Sequence, residues 1–257
     1  NAVMVTLPAD QYIPDVENFI ETISCCIELA RTGRYLVTIG IKPSRPETGY
    51  GYINAYEKFG VIRDKTCLKV KRYVEKPDLK TACSYIENGD FYWNSGMFVW
   101  EAKTVIESIE RHMPGLYTGL KKLKRVLSSM DTKSIIDIFS KFEKQSIDYG
   151  IMEKADNVLM VPADFRWDDV GTWSSLMRLF DTDKDGNYIK GDAECIDTKD
   201  CIVYGDAVPV GMVGVSNLIV VASRQGVLVC DPDRAQEVRG IAKSLSRRKT
   251  KKQEKRK

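Results

Sequence analysis

Residues 3–41 read VMVTLPADQYIPDVENFIETISCCIELARTGRYLVTIGI, and their order decides the fold class. Val3 to Leu7 is a short β-branched and apolar run, which predicts a buried strand. Asp15 precedes a stretch in which Phe19, Ile23, Ile27 and Ala30 recur at helical spacing, with Ile20 widening the stripe. Asp15 is therefore read as an N-cap and Gly33 as the residue that closes the helix. Tyr35 to Ile41 reads as a second strand. Strand, helix and strand with short connections predict a parallel α/β sheet.

Outward from this unit, the loop Lys42–Gly51 is rich in Pro, Gly and Thr. Strands are predicted at 52–59, 68–75, 97–100 and 158–161, with helices at 79–87, 102–112, 172–180 and, with interruptions, 116–142. After Asp181 the pattern changes. DTDKDGNY reads as a turn, and short strands near 193–197, 201–205, 208–213, 217–222 and 226–230 predict a small all-β unit. That spacing fits a meander or the coils of a β-helix. Residues 231–245 read as a closing helix.

Composition narrows the class. The chain has 257 residues, 43% hydrophobic and 29% charged, enough for one sizeable core and a smaller second unit. No run of about 18 apolar residues predicts a membrane span. Seven cysteines without C-x-x-C spacing, and one histidine, argue against structural zinc and for the reduced thiols of a cytoplasmic protein. Ser246–Lys257 reads SRRKTKKQEKRK, eight basic residues and one acid. The net charge of +3, less +7 for that tail, leaves the body near −4. The tail reads as a solvated, disordered end in preference to a nucleic-acid contact.

Six stretches carry chemistry. They are Leu7-Pro-Ala-Asp10, Arg45-Pro-Glu-Thr-Gly-Tyr-Gly-Tyr-Ile53, Val74-Glu-Lys-Pro77, Trp93-Asn-Ser-Gly-Met-Phe98, Ser146-Ile-Asp-Tyr149 with Met152-Glu-Lys154, and Phe165-Arg-Trp-Asp-Asp-Val-Gly-Thr-Trp173. Taken singly, each has a plain reading. Asp10 is a turn or capping aspartate, Glu75-Lys76 a strand-end ion pair, Asn94 with Gly96 a turn, and Gly49 with Gly51 a hairpin. In this order and spacing, from about residue 3 to about residue 242, they resemble bacterial-type mannose-1-phosphate guanylyltransferases.

The resemblance implies a partial Rossmann-like nucleotidyltransferase domain (1–183) and a small left-handed β-helix-like unit (184–242); a C-terminal helix is read from the residues, and the basic tail (243–257) is something the family pattern does not explain. It implies attack of mannose 1-phosphate on GTP, giving GDP-mannose and pyrophosphate, and a homodimer through the β-helix unit. The attacking phosphate is already an anion, so such a reaction rests on positioning and charge neutralisation. Asp10 and Asp169 match the family's Mg²⁺ ligands, although Asp164 and Asp168 are carboxylates of the same short stretch. Lys76 matches a phosphate-binding catalytic lysine. Glu75 and Asn94 match sugar-hydroxyl ligands, and Gly49, Tyr50, Gly51 and Gly96 complete the implied substrate-binding set. Trp93, Trp100, Trp167 and Trp173 are read as core or site wall.

The chain departs from the family pattern in three places. The family's upstream G-x-G-x-R…P-K loop, which grips the triphosphate, has no counterpart here, so the nucleotide-binding segment is expected to be missing. Gln11 stands where the family has histidine, and Arg166 where it has glycine. A non-catalytic, nucleotidyltransferase-like binding subunit is the alternative reading.

Overall fold

The computed structural model describes residues 2–128 and 131–245; of the expected basic tail, 246–257 lie outside them, and 243–245 belong to the closing helix. The described residues divide into two compact units. The first holds the residues up to Ala9 and Ile13–Trp167; the second holds Asp10–Tyr12 and the residues from Asp168 on. The division expected at 183 falls inside the second unit.

The first unit is built on a six-stranded sheet of β1 (Val3–Thr6), β2 (Leu36–Ile41), β3 (Tyr52–Ile62), β4 (Lys65–Val74), β5 (Phe91–Glu101) and β6 (Val158–Pro162). Their order is β1-β5-β2-β6-β4-β3, and β5 also pairs with β3. The sheet is mixed, which corrects the expectation of a parallel one. Only β2 and β6 run parallel. β1 is not beside β2, because β5 lies between them, antiparallel to both. All six residues of β2 are buried. β1 ends the strand order and alternates, with Val3 and Val5 packed inward and Met4 45% exposed. An apolar run alone does not separate a central strand from an end strand, and here the long, largely buried β5 takes the central place.

Helix α1 (Val16–Arg31) starts where Asp15 accepts from the Asn18 backbone N–H at 3.2 Å. It buries Cys25, Cys26, Leu29 and Ala30 in the core shared with β2. Thr32 is its C-cap, with hydroxyl and N–H both donating to Leu29 O, which puts Gly33 at the C′ position as expected, though without a positive φ. Helix α2 (Leu79–Asn88) is capped by Asp78 and closed by Gly89 in the left-handed conformation. Helices α3 (Ala102–His112), α4 (Pro114–Leu127) and α5 (Thr132–Ser140) follow. Asp148–Met152 is a π-helical turn. Alternate residues of β2, β5 and β6 feed two cores, Val37, Ile39, Val99 and Leu159 in one and Leu36, Phe98, Trp100 and Met160 in the other, so they lie on opposite faces of the sheet.

The second unit contains α6 (Ser175–Leu179) and a four-stranded sheet of β7 (Tyr188–Ile196), β8 (Ile202–Val213), β9 (Ile219–Ser223) and β10 (Gly226–Cys230), in the order β10-β9-β8-β7. β7, β8 and β9 are successive parallel neighbours, and β10 returns antiparallel. Residues 197–201 are too few for a helical crossover, so parallel pairing of β7 with β8 means coils, not a meander. Asp197, Asp200 and Asn217 make the corners with positive φ. The strands expected at 201–205 and 208–213 are one continuous β8. Buried Asn187 ties the first coil together. It accepts from Cys201 N at 3.0 Å, donates to Thr198 O at 2.8 Å and donates to Asp183 at 3.1 Å. The closing helix begins as a 3₁₀ turn, Pro232–Glu237, and continues as α-helix over 238–245. Among the described residues no helix is long and apolar enough to cross a membrane, and all seven cysteines are free thiols.

Candidate functional site

In the first unit the loop before β3 is pinned by its own side chains. Glu47 accepts from Gly49 N at 3.1 Å and from Arg45, while its backbone N–H donates to the Tyr52 hydroxyl at 3.0 Å. Arg45 also lies 4.9 Å from the Trp93 ring centre, a cation–π contact. Tyr50 packs edge-on against Trp93 and Trp167. Tyr50, Trp93, Trp100 and Trp167 are all buried, as read from the sequence for the tryptophans. Tyr50, Trp93 and Trp167 are therefore wall rather than open stacking platforms, and Trp100 is core on the other face of the sheet.

The loop delivers Gly51 against two polar side chains. A Cβ at Gly51 would overlap Glu75 Oε2 and lie 3.3 Å from Asn94 Cβ. Only glycine lets both approach. Gly51 O accepts from Asn94 N at 2.8 Å, which fixes the height of Asn94. Asn94 is not in a turn. It lies within β5, where the register with β2 jumps from Thr38–Phe98 to Gly40–Asn94. Residues 95–97 form the bulge, and Gly96 with φ +71° supplies the left-handed residue. Gly96 N donates to Asn94 Oδ1 at 3.0 Å, and the buried Ser95 hydroxyl donates to Ile39 O at 2.7 Å.

Glu75 and Lys76 form an ion pair at the end of β4. The Glu75 side chain is only 9% exposed, and that of Lys76 is 53% exposed. The Glu75 hydrogen bond, with added pull from Asp148 and Tyr149, holds the Lys76 ammonium above its usual range. Lys76 sits at φ +50°, an uncommon backbone for a residue with a side chain. Thus the structure brings Gly51, Glu75, Lys76 and Asn94 together, with Gly49, Tyr50 and Gly96 in the segments that hold them.

Two residues of this cluster were not assigned from sequence. Asp148 Oδ1 accepts from Asn94 Nδ2 at 3.0 Å and from the Tyr73 hydroxyl at 3.3 Å. Burial first, then the Asp148 charge, pushes the Tyr73 hydroxyl well above its usual range, so it stays a donor. Asp148 stood in a quoted motif, but nothing local connects it with a residue 54 positions away.

The second unit holds Asp10 and the stretch after Trp167. Tyr12 and Asp168 exchange backbone hydrogen bonds at 2.8 and 3.1 Å, which ties the two segments together. Asp168 is buried. Its Oδ1 accepts from Val170 N at 2.9 Å and its Oδ2 from Arg178 Nε and Nη2 at 3.1 and 2.9 Å. Val170 takes φ +51°, a strained conformation for a β-branched residue, held by that bond. The turn sets half-buried Asp169, whose Oδ1 accepts from Gly171 N at 3.1 Å. In the first unit, Asp164 is engaged by Lys65 at 2.8 and 3.0 Å. Asp164 and Asp168 thus each pair with a cation of their own unit. Asp10 and Val170 line one cavity of about 390 Å³, together with Tyr12, Trp173, Phe180 and Tyr188. Among the described residues no three His, Cys, Asp or Glu side chains converge as a metal cage. Asp169 is not among the residues that line this cavity, although it belongs to the same unit as Asp10; carboxylate oxygens without thiolate or imidazole are the donor chemistry that suits Mg²⁺.

Residues 1–186 match the nucleotidyl transferase family, and residues 191–245 match the MannoseP isomerase/GMP-like beta-helix domain. A mannose-1-phosphate guanylyltransferase of Escherichia coli is 36% identical over 250 residues, 95% of this chain and 53% of that protein. Xanthan biosynthesis protein XanB of Xanthomonas campestris pv. campestris is 39% identical over 246 residues, 94% of this chain and 50% of that protein. The chain thus spans about half the length of these curated relatives. A crystal structure from Thermus thermophilus, described as a mannose-1-phosphate geranyltransferase, superposes with a TM-score of 0.82 at 36% identity, covering 95% of this chain and 70% of that one. The chain belongs to the nucleotidyl transferase family, among relatives named mannose-1-phosphate guanylyltransferases and with their type of β-helix domain.

Proposed function

We propose that this chain carries the acceptor-binding and metal-binding parts of an enzyme that transfers GMP from GTP to mannose 1-phosphate, releasing pyrophosphate and giving GDP-mannose. The observation that carries this is the close packing of Glu75 and Asn94 against Gly51, beside Lys76. It offers hydroxyl acceptors and donors with one cation, the complement of a sugar phosphate.

Each residue then has a task that its geometry supports. Glu75, nearly buried, accepts from ring hydroxyls. Asn94 accepts and donates at once. Lys76 places a fixed positive charge on the sugar phosphate, and its pairing with Glu75 keeps it protonated over the whole neutral range. Gly49 and Gly51 let backbone approach the ring. Because the nucleophile is an anion, no side chain has to remove a proton. Asp10 and Asp169 would hold Mg²⁺, which neutralises charge building up on the phosphates. Domain limits near 183 and 242 follow the same reading. So does a homodimer through the β-helix unit, supported by exposed Val227 and Val229 on β10, the last strand of its sheet.

The test is direct. The full-length protein should form GDP-mannose from GTP and mannose 1-phosphate in a Mg²⁺-dependent reaction, and D169N should reduce the rate by at least about a hundredfold. No product from the wild-type protein would remove the proposal.

A further inference from the structure

The carboxamide of Asn94 can sit two ways, with oxygen and nitrogen exchanged, and only one suits a given sugar hydroxyl. Two neighbours decide between them. Gly96 N–H donates to Oδ1 at 3.0 Å, and the Asp148 carboxylate accepts from Nδ2 at 3.0 Å. The flipped amide would set oxygen against the Asp148 oxygen and N–H against N–H. Each unmet group in a partly buried place weakens the flipped state by about tenfold or more. The two bonds use half of the amide's valences, so a hydroxyl can meet the other half in one fixed sense.

Asp148 is suited to this task by its mounting. It starts the π-helical turn Asp148–Met152, a rare backbone form that often marks functional positions. Gly150, Ile151 and Met152 anchor that turn in the protein interior. The Tyr73 hydroxyl donates to the same Oδ1 at 3.3 Å, from a residue 7% exposed. Three separate elements, β4, β5 and the π-turn, thus converge on one carboxylate oxygen.

We infer that Asp148 is a positioning residue that locks the Asn94 amide in one orientation and so sets the selectivity among hexose 1-phosphates that differ in a single hydroxyl. The inference rests on the acceptor-site reading above. It acts through Asn94, not by contact with the reacting phosphate.

Full-length wild type, D148A, D148N, Y73F, N94A and N94A/D148A are compared with mannose 1-phosphate and glucose 1-phosphate as acceptors. D148A should raise KM for mannose 1-phosphate about tenfold or more, leave KM for GTP within about twofold, and narrow the preference between the two sugars. D148N keeps an acceptor oxygen and should recover much of the loss, and Y73F, which removes one of the bonds that hold Asp148 Oδ1, should show a smaller loss in the same direction. The double variant should be no worse than N94A, since one effect runs through the other. Additive losses in the double variant, or equal changes toward GTP and sugar, would overturn the inference. The amide orientation is read without turnover, from the Asn94 side-chain ¹⁵N–H₂ resonances. These should shift in D148A and stay near wild type in D148N. Unshifted resonances in D148A also overturn it. If wild type makes no product while the resonances shift as stated, the acceptor-site reading fails and the locking contact stands. If D148A does not fold, D148L and N94A/D148L, which also lack an acceptor oxygen, carry the same comparison.

Discussion

Arg178 donates twice to Oδ2 of Asp168, at 2.9 and 3.1 Å, while Oδ1 of the same carboxylate accepts from Val170 N. Asp168 is thereby a structural carboxylate. It holds Val170 at φ +51°, and that turn presents Asp169. R178M would leave a buried carboxylate without its cation. It should cost about 2–4 kcal/mol of stability in urea melts and weaken Mg²⁺ dependence even at temperatures where the variant is folded. D169N should leave stability within about 0.5 kcal/mol and abolish the metal response. Equal stability losses in the two variants would contradict this division of labour.

Gly51 is the tightest point of the proposed acceptor cluster. In G51A the new methyl overlaps Glu75 Oε2, so the carboxylate must move. KM for the sugar phosphate should rise about tenfold or more while KM for GTP holds. A crystal structure or steady-state kinetics of G51A checks this, and an unchanged sugar KM would show that Glu75 does not serve the acceptor.

Lys76 supplies charge in a form that arginine does not copy. Its ammonium is a compact point donor held by Glu75. K76M should lower kcat/KM for mannose 1-phosphate by at least about a hundredfold, and K76R should recover only part of it. Both measurements come from initial rates at saturating GTP.

Asn187 organises the first coil of the second unit. N187A leaves the Cys201 N–H and Thr198 C=O unmet in a buried place and should cost about 2–4 kcal/mol. Hydrogen exchange should show the loss in β7 and β8 and leave the β2 and β5 amides protected.

His112, the sole histidine, is held below the ordinary imidazole range by burial first, and then by Arg111 and Lys154, with Asp156 opposing. The unfolded chain therefore takes up the proton more readily than the folded one. Its contribution to stability is complete above about pH 6.5. It is lost as pH falls toward the lower folded value. Urea melts from pH 7.5 to 5 should show a shallower decline in H112Q than in wild type. Identical slopes would show that the imidazole titrates alike in both states.

Much of the first unit was legible because its strands and helices are written in local patterns. Asp15 caps α1, and the 3.6-residue stripe of that helix faces its core apart from Ile20, which is 56% exposed. Glu75, Lys76 and Asn94, the residues of the proposed acceptor site, stood in quoted motifs. The bulge that places Asn94 was not, because Trp93-Asn-Ser-Gly reads equally as a turn. Hairpin and coil readings of the β unit were likewise equal until β7 and β8 paired in parallel.

By itself the sequence determined the elements, the family and the identities of the chemical groups, since caps, periodicity and ordered motifs depend on near neighbours along the chain. The tertiary structure alone decided which strand lies beside which, that β5 separates β1 from β2, and that Asp168 is spent on Arg178. It alone joined Asp148 to Asn94. These are pairings between distant segments, chosen by burial and by the need to satisfy every buried polar group, and no local pattern encodes them.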